Sequence, residues 1–121
     1  MANQGMGRGG TDESGYSISF DAAARTIRVD AWGFWSLEVC STFAKALLDT
    51  CRRSAGVRRL EIETTRLKPL REEGENAWAM VLGALPTAGI EAIVVKTNSL
   101  TKLQLLRIAR HSASKDLVQF V

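Results

Sequence analysis

The chain predicts an α/β domain with a mainly parallel sheet, and three observations carry this. Two short alternating segments lie side by side near the start and read as a hairpin. Helical and extended patterns then alternate to the end, giving the order β-β-α-β-α-β-α-β. Three of the five extended segments also alternate apolar with polar residues, whereas parallel strands covered on both faces are apolar throughout. Helices on one face of the sheet and a charged, wetted second face follow from that alternation.

Residues 1–15 (MANQGMGRGGTDESG) hold five of the ten glycines and no aromatic residue. They read as a flexible leader ahead of a domain over residues 16–121. Tyr16 to Asp21 sets Tyr16, Ile18 and Phe20 against Ser17 and Ser19. Thr26 to Ala31 sets Ile27, Val29 and Ala31 against Arg28 and Asp30. Ser36 to Ala55 is the first helix. Ser36 is an N-cap type, Glu38 sits in the first turn where the helix dipole favours an anion, and Gly56 suits a left-handed stop. Cys40, Phe43, Ala44, Leu47 and Cys51 recur at helical spacing along it. Val57 to Glu63 is the third strand, with Leu60 and Ile62 opposed to charged neighbours.

The second helix is expected over about Glu72 to Leu85, with Ala77, Met80, Val81, Ala84 and Leu85 as its core stripe. Its stretch Ala77 to Leu85 has no polar side chain, and a helix apolar all round is buried or lies at an interface. Trp78 and Leu82 extend the apolar surface round the side and are candidates for a homodimer seam. Ile90 to Lys96 is the fourth strand. A third helix begins near Ser99 or Thr101, where Thr101-Lys102-Leu103-Gln104 fits a capping box, and runs through Ala113. Asp116 to Val121 is the last strand.

The 121 residues, 45% hydrophobic and 24% charged, suffice for one domain with its own core. A net charge of +3 permits anionic partners without requiring them. The basic residues are scattered rather than gathered in a stripe or module, so nucleic-acid binding is not expected. No apolar run reaches the ~18 residues of a membrane span, and no apolar signal segment opens the chain. A cytoplasmic location is expected. Cys40 and Cys51 lie on one helix about 16 Å apart, too far for a disulfide, and read as buried thiols. His111 is the only histidine, with no second ligand type at metal spacing, and Ser99, Cys40 and His111 form no evident triad. Neither metal nor other cofactor is expected, and the chain reads as one that binds rather than catalyses.

The candidate binding surface is the corner where strands end and helices begin, the usual ligand edge of open α/β sheets. Trp32-Gly33-Phe34-Trp35 places three aromatics in the turn before the first helix, and aromatics dominate interface energetics. The loop from Thr64 to Gly74 adds Arg66, Lys68, Arg71, Glu72 and Glu73. Either the rings plug the end of the core, or at least one contacts a partner. The glutamates suit the helix dipole.

The element order, with Gly33 and Ser36 at the turn into the first helix and Leu60-Glu61-Ile62-Glu63 before the loop, resembles the STAS domain. That family includes the bacterial anti-sigma factor antagonists of the SpoIIAA type. Thr101 to Arg107 (TKLQLLR) also resembles stand-alone bacterial STAS-like proteins. The resemblance covers residues 16–121 and implies a non-enzymatic regulatory domain that acts by protein-protein contact. The family carries Asp-Ser-Ser or Asp-Ser-Thr at the start of the helix after the third strand, where the serine is phosphorylated. This chain has Leu70-Arg71-Glu72-Glu73-Gly74 there, with no hydroxyl, and Glu72 and Glu73 stand where a phosphate would. The alternative expectation, by architectural analogy with lipid-carrying domains, is a carrier enclosing a small molecule between the helices and that loop.

Overall fold

The computed structural model describes residues 7–121. The strands are β1 (Gly7–Gly10), β2 (Gly15–Asp21), β3 (Thr26–Gly33), β4 (Arg59–Leu67), β5 (Ala92–Thr97) and β6 (Val118–Phe120). The helices are α1 (Leu37–Arg53), α2 (Glu72–Ala84), continued by a short 3-10 turn (Leu85–Ala88), and α3 (Ser99–Arg110). The six strands lie in one sheet in chain order. β1, β2 and β3 pair antiparallel, and β3 through β6 pair parallel.

The order is β-β-β-α-β-α-β-α-β, one strand more than the sequence predicts. The added strand, Gly7–Gly10, falls in the expected leader; of that leader, residues 1–6 lie outside the described residues. A glycine run carries no side-chain alternation, so nothing in its composition marks a strand. It pairs by main chain alone, Gly7 with Ile18 through Gly10 with Gly15. Gly9 is open enough for the Tyr16 ring to lie over it, where a Cβ would come within 2.5 Å of the ring. An aromatic covering a glycine in this way makes up for the missing side chain.

Each parallel crossover is right-handed by the usual rule, which places α1, α2 and α3 on the same side. Ile27, Val29, Leu60, Ile62, Ile93 and Val95 turn inward to the helices and are buried in a single core. Arg28, Asp30, Glu61, Glu63 and Lys96 line the opposite, uncovered face. Arg28 bridges Asp21 and Glu61 there, each at 3.2 Å, and Arg59 reaches Glu61 at 2.9 Å.

Three segments differ from the sequence expectation. β4 runs on to Leu67 because Thr64 still pairs with Thr97 of β5, and Arg66 and Leu67 pair with Trp32 and Gly33 past a register shift between Asp30 and Trp32. The Thr64 hydroxyl donates to the Lys96 carbonyl at 2.7 Å, so the threonine is buried rather than part of a loop. α2 is rotated from the predicted stripe. Gly74, Ala77, Trp78, Val81 and Leu82 face inward, and Met80 is 60% exposed. Gly74 permits this, since a Cβ there would lie 2.9 Å from the Leu70 side chain. Trp78 and Leu82 are therefore core residues at 1% and 4% exposure and cannot form the expected seam. α3 is capped by Asn98, whose Oδ1 accepts from Leu100 N and Thr101 N, not by a box at Thr101. It ends at Arg110, short of Ala113.

Candidate functional site

Because β3, β4 and β5 are parallel, their C-terminal ends share one edge, and all three helices start there. β3 and β4 finish in register, Gly33 opposite Leu67. Gly33 turns the chain with φ +78°. A Cβ on it would meet the Glu13 carbonyl and lie 2.7 Å from Ser14 Cα, so only glycine fits beneath the loop from Thr11 to Ser14. The Gly33 carbonyl accepts from Lys68 N at 3.0 Å, tying the two strand-to-helix turns together. Ser36 then caps α1 through Val39 N.

The aromatic turn divides three ways. Trp35 enters the core: its ring stacks on Trp78 at 5.7 Å, packs against Phe43 at 4.7 Å, and its Nε1 donates to the Gly15 carbonyl at 3.0 Å. Trp32 lies on the other side of the sheet. The Arg8 and Arg66 guanidiniums stand 5.3 and 5.6 Å from its ring centroid, and its Nε1 donates to the Thr11 carbonyl at 2.9 Å. Both tryptophans are buried, so neither serves as the exposed contact the sequence suggested; in each case a carbonyl some twenty residues earlier in the chain takes the indole N–H and the ring is covered. Phe34 alone projects outward, at 58% exposure.

The predicted loop shortens to Lys68–Arg71, since Arg66 belongs to β4 and pairs with Asp30 at 3.3 Å. Lys68, Arg71, Glu72 and Glu73 are exposed. A polar latch from α3 holds this loop. Asn98 Nδ2 donates to the Leu67 carbonyl at 2.9 Å, and the Thr101 hydroxyl donates to the same oxygen at 2.8 Å. Gln104 accepts from Leu70 N and donates to Leu70 O, treating that residue as a neighbouring strand would. Glu75 closes the set, bound by Gln104 and Arg107.

Sequence reasoning missed three exposed apolar side chains on the same edge: Leu37, Leu100 and Leu103, at 68%, 67% and 70% exposure. Leu37 is the first residue of α1, directly after the Ser36 cap. On α3 the buried stripe is Thr101, Leu105 and Ala109, spaced by four, and Leu100 and Leu103 fall off it. That spacing was the available signal. Phe34, Leu37 and Leu100 stand at or just past the strand ends, Leu103 lies one turn into α3, and Lys68, Arg71, Glu72 and Glu73 belong to the turn into α2 between them.

Little at this edge suits bond-making chemistry. Ser99 opens α3 and His111 caps its far end, about 18 Å away along the helix. Cys40 and Cys51 are free and buried, and desolvation pushes the Cys51 thiol up to about 11. Among the described residues, no group of His, Cys, Asp or Glu is placed to hold a metal ion, and no helix is long and apolar enough to cross a membrane. Trp35, Phe43, Leu67, Leu70 and Trp78 fill the space between the helices and the loop. Comparisons with protein-family models, curated proteins and solved structures find no match for this chain, so its functional reading rests on the geometry of this edge.

Proposed function

We propose that this chain is a STAS-like, non-enzymatic regulatory domain, bacterial by its resemblance, which docks a protein partner on the rim where its parallel strands end. The observation that carries the reading is the gathering of Phe34, Leu37, Leu100 and Leu103, each more than half exposed, on that edge. Phe34 and Leu100 follow strands two positions apart, roughly 10 Å across the sheet, so one partner surface spans both. Exposed apolar side chains set among charges are the usual make-up of a contact patch, with the apolar anchors giving affinity and the charges orientation. A filled interior favours docking over carriage of a small molecule. The start of α2 offers Glu72 and Glu73 in place of a phosphorylatable serine, a fixed negative charge where the family has a switchable one.

Affinity capture from the source organism, followed by quantified binding, tests this. Phe34→Asp and Leu100→Asp should each weaken partner binding at least tenfold, an anchor-sized loss, while the melting temperature stays near the parent's. Undiminished binding by both variants would remove the rim from the interface. Glu72→Ser with Glu73→Ser should also change partner affinity, and equal affinity would end the idea of a fixed phosphate imitation.

A further inference from the structure

β1 and β6 are the two edges of the sheet. An edge strand leaves main-chain donors and acceptors unpaired, and natural proteins guard it, often with a charged side chain. β1 carries Arg8, and β2 to β5 each hold at least one charged residue as well. β6 holds none. The segment Leu117-Val118-Gln119-Phe120-Val121 is uncharged, lacks proline and glycine, and is rich in strand formers. Ile93 N donates to Leu117 O and Val121 N donates to Val95 O, each at 3.0 Å. In a parallel ladder alternate residues turn their main chain to the same neighbour. Gln119 therefore also faces β5, and the N–H and C=O groups of Val118 and Phe120 point out of the sheet. Among the described residues these four groups meet no partner. The Val118 and Phe120 side chains pack against the core, while Gln119 is exposed and Val121 is 62% exposed.

This edge is complementary to itself. A two-fold axis normal to the sheet, just outside β6, lays the same strand of a second copy antiparallel beside the first and keeps both helix layers on one side. Centred on Gln119, the register sets Val118 of each copy opposite the partner's Phe120. Each such pair exchanges two main-chain hydrogen bonds, so all four outward groups are used. On the helix side apolar Val118 then meets apolar Phe120. On the open side Gln119 meets its own copy in the close, non-hydrogen-bonded pair, where two side-chain amides bond each other. Val121 falls opposite Leu117. We infer that β6 is the seat of a second copy of this chain, in an isologous contact that runs one sheet through both copies. The match of apolar with apolar and amide with amide selects a second copy over an unrelated strand. The inference goes beyond the rim reading and does not rest on it. The shared edge is roughly 17 Å long and buries well under the ~800 Å² per partner of a standard interface, so the dimer is a weak, concentration-dependent one.

Sedimentation equilibrium over micromolar to millimolar chain, with amide hydrogen exchange on the same samples, tests it. The wild-type mass should rise toward two copies, and protection of the Val118 and Phe120 amides should rise with it, while the Gln119 amide is protected at every concentration. Gln119→Lys and Gln119→Glu should each weaken association about fivefold, because the two-fold sets like charges directly opposite one another. Their melting temperatures should match the wild type's, since Gln119 is exposed. An equal mixture of the two variant chains should associate at least as well as the wild type. Val118→Pro should stay at one copy, since it removes a donor that no group within the chain uses. A wild type of single-copy mass up to millimolar chain overturns the inference. So does a mixture no better than either variant alone, or a mass that climbs past two copies, the mark of an open head-to-tail contact. Dimer mass and partner capture at the rim are separate readouts, so failure of one leaves the other standing.

Discussion

Trp35 and Trp78 stack in the interior, yet only Trp35 finds an acceptor for its indole N–H; Trp78 Nε1 is buried without one. Leaving a buried polar group unpaired costs about 1–3 kcal/mol, which makes the two positions unequal under the same substitution. Trp35→Phe leaves the Gly15 carbonyl without its donor, whereas Trp78→Phe removes an orphan and offsets part of the lost packing. Chemical denaturation should show Trp35→Phe as the more destabilising by about 1 kcal/mol or more. The reverse order would mean that the Trp35 hydrogen bond contributes nothing net.

At the scale of elements, the loop before α2 is short, yet it is held from the next crossover by Asn98, Thr101 and Gln104. Gln104 is half-buried and satisfies both main-chain groups of Leu70. Gln104→Ala should cost about 1–2 kcal/mol and speed amide hydrogen exchange at Leu70 more than at the core strands. Gln104→Glu should do no better, since a carboxylate cannot donate to Leu70 O and adds a charge beside Glu75. Unchanged exchange at Leu70 would show that the turn is rigid without the latch. A loop fixed this way carries Lys68 and Arg71 on an ordered backbone.

At the scale of the molecule, the one-sided sheet leaves a face whose order is electrostatic. Hydrogen bonds from Ala24 N and Arg28 hold the Asp21 carboxyl below its ordinary 3.8, and a hydrogen bond from Arg59, with Arg28 beside it, holds Glu61 below its ordinary 4.5. Both carboxylates bind their protons less tightly folded than unfolded. Their contribution is therefore full above about pH 4.5 and drains as pH falls through the lowered folded values. All the groups are at least partly wetted, so the effect is small. Arg28→Ala should flatten the pH dependence of stability between about pH 5 and 3 and change little at neutral pH. An unaltered acid limb would place that dependence elsewhere in the molecule.

Alternation and periodicity are local properties, and they sufficed for β2 to β6, the three helices, the bare charged face and the Ser36 cap. What they could not supply was whatever depends on a neighbour distant in the chain. β1 has no pattern of its own and exists because β2 offers an edge and Tyr16 covers Gly9. α2 is apolar nearly all round, so its own sequence left its rotation open; Trp35 and Leu70 chose the side that buries Trp78 and leaves Met80 outside. The aromatic turn was legible as a cluster, but which ring faced water was decided by the Thr11 and Gly15 carbonyls that accept from Trp32 and Trp35. The sequence by itself determined the elements from β2 onward and the side of the sheet that the strand residues take, because those follow from the 2.0 and 3.6 periods of the backbone. Only the tertiary structure decided which apolar side chains remain exposed, because exposure is what is left after every other segment has packed.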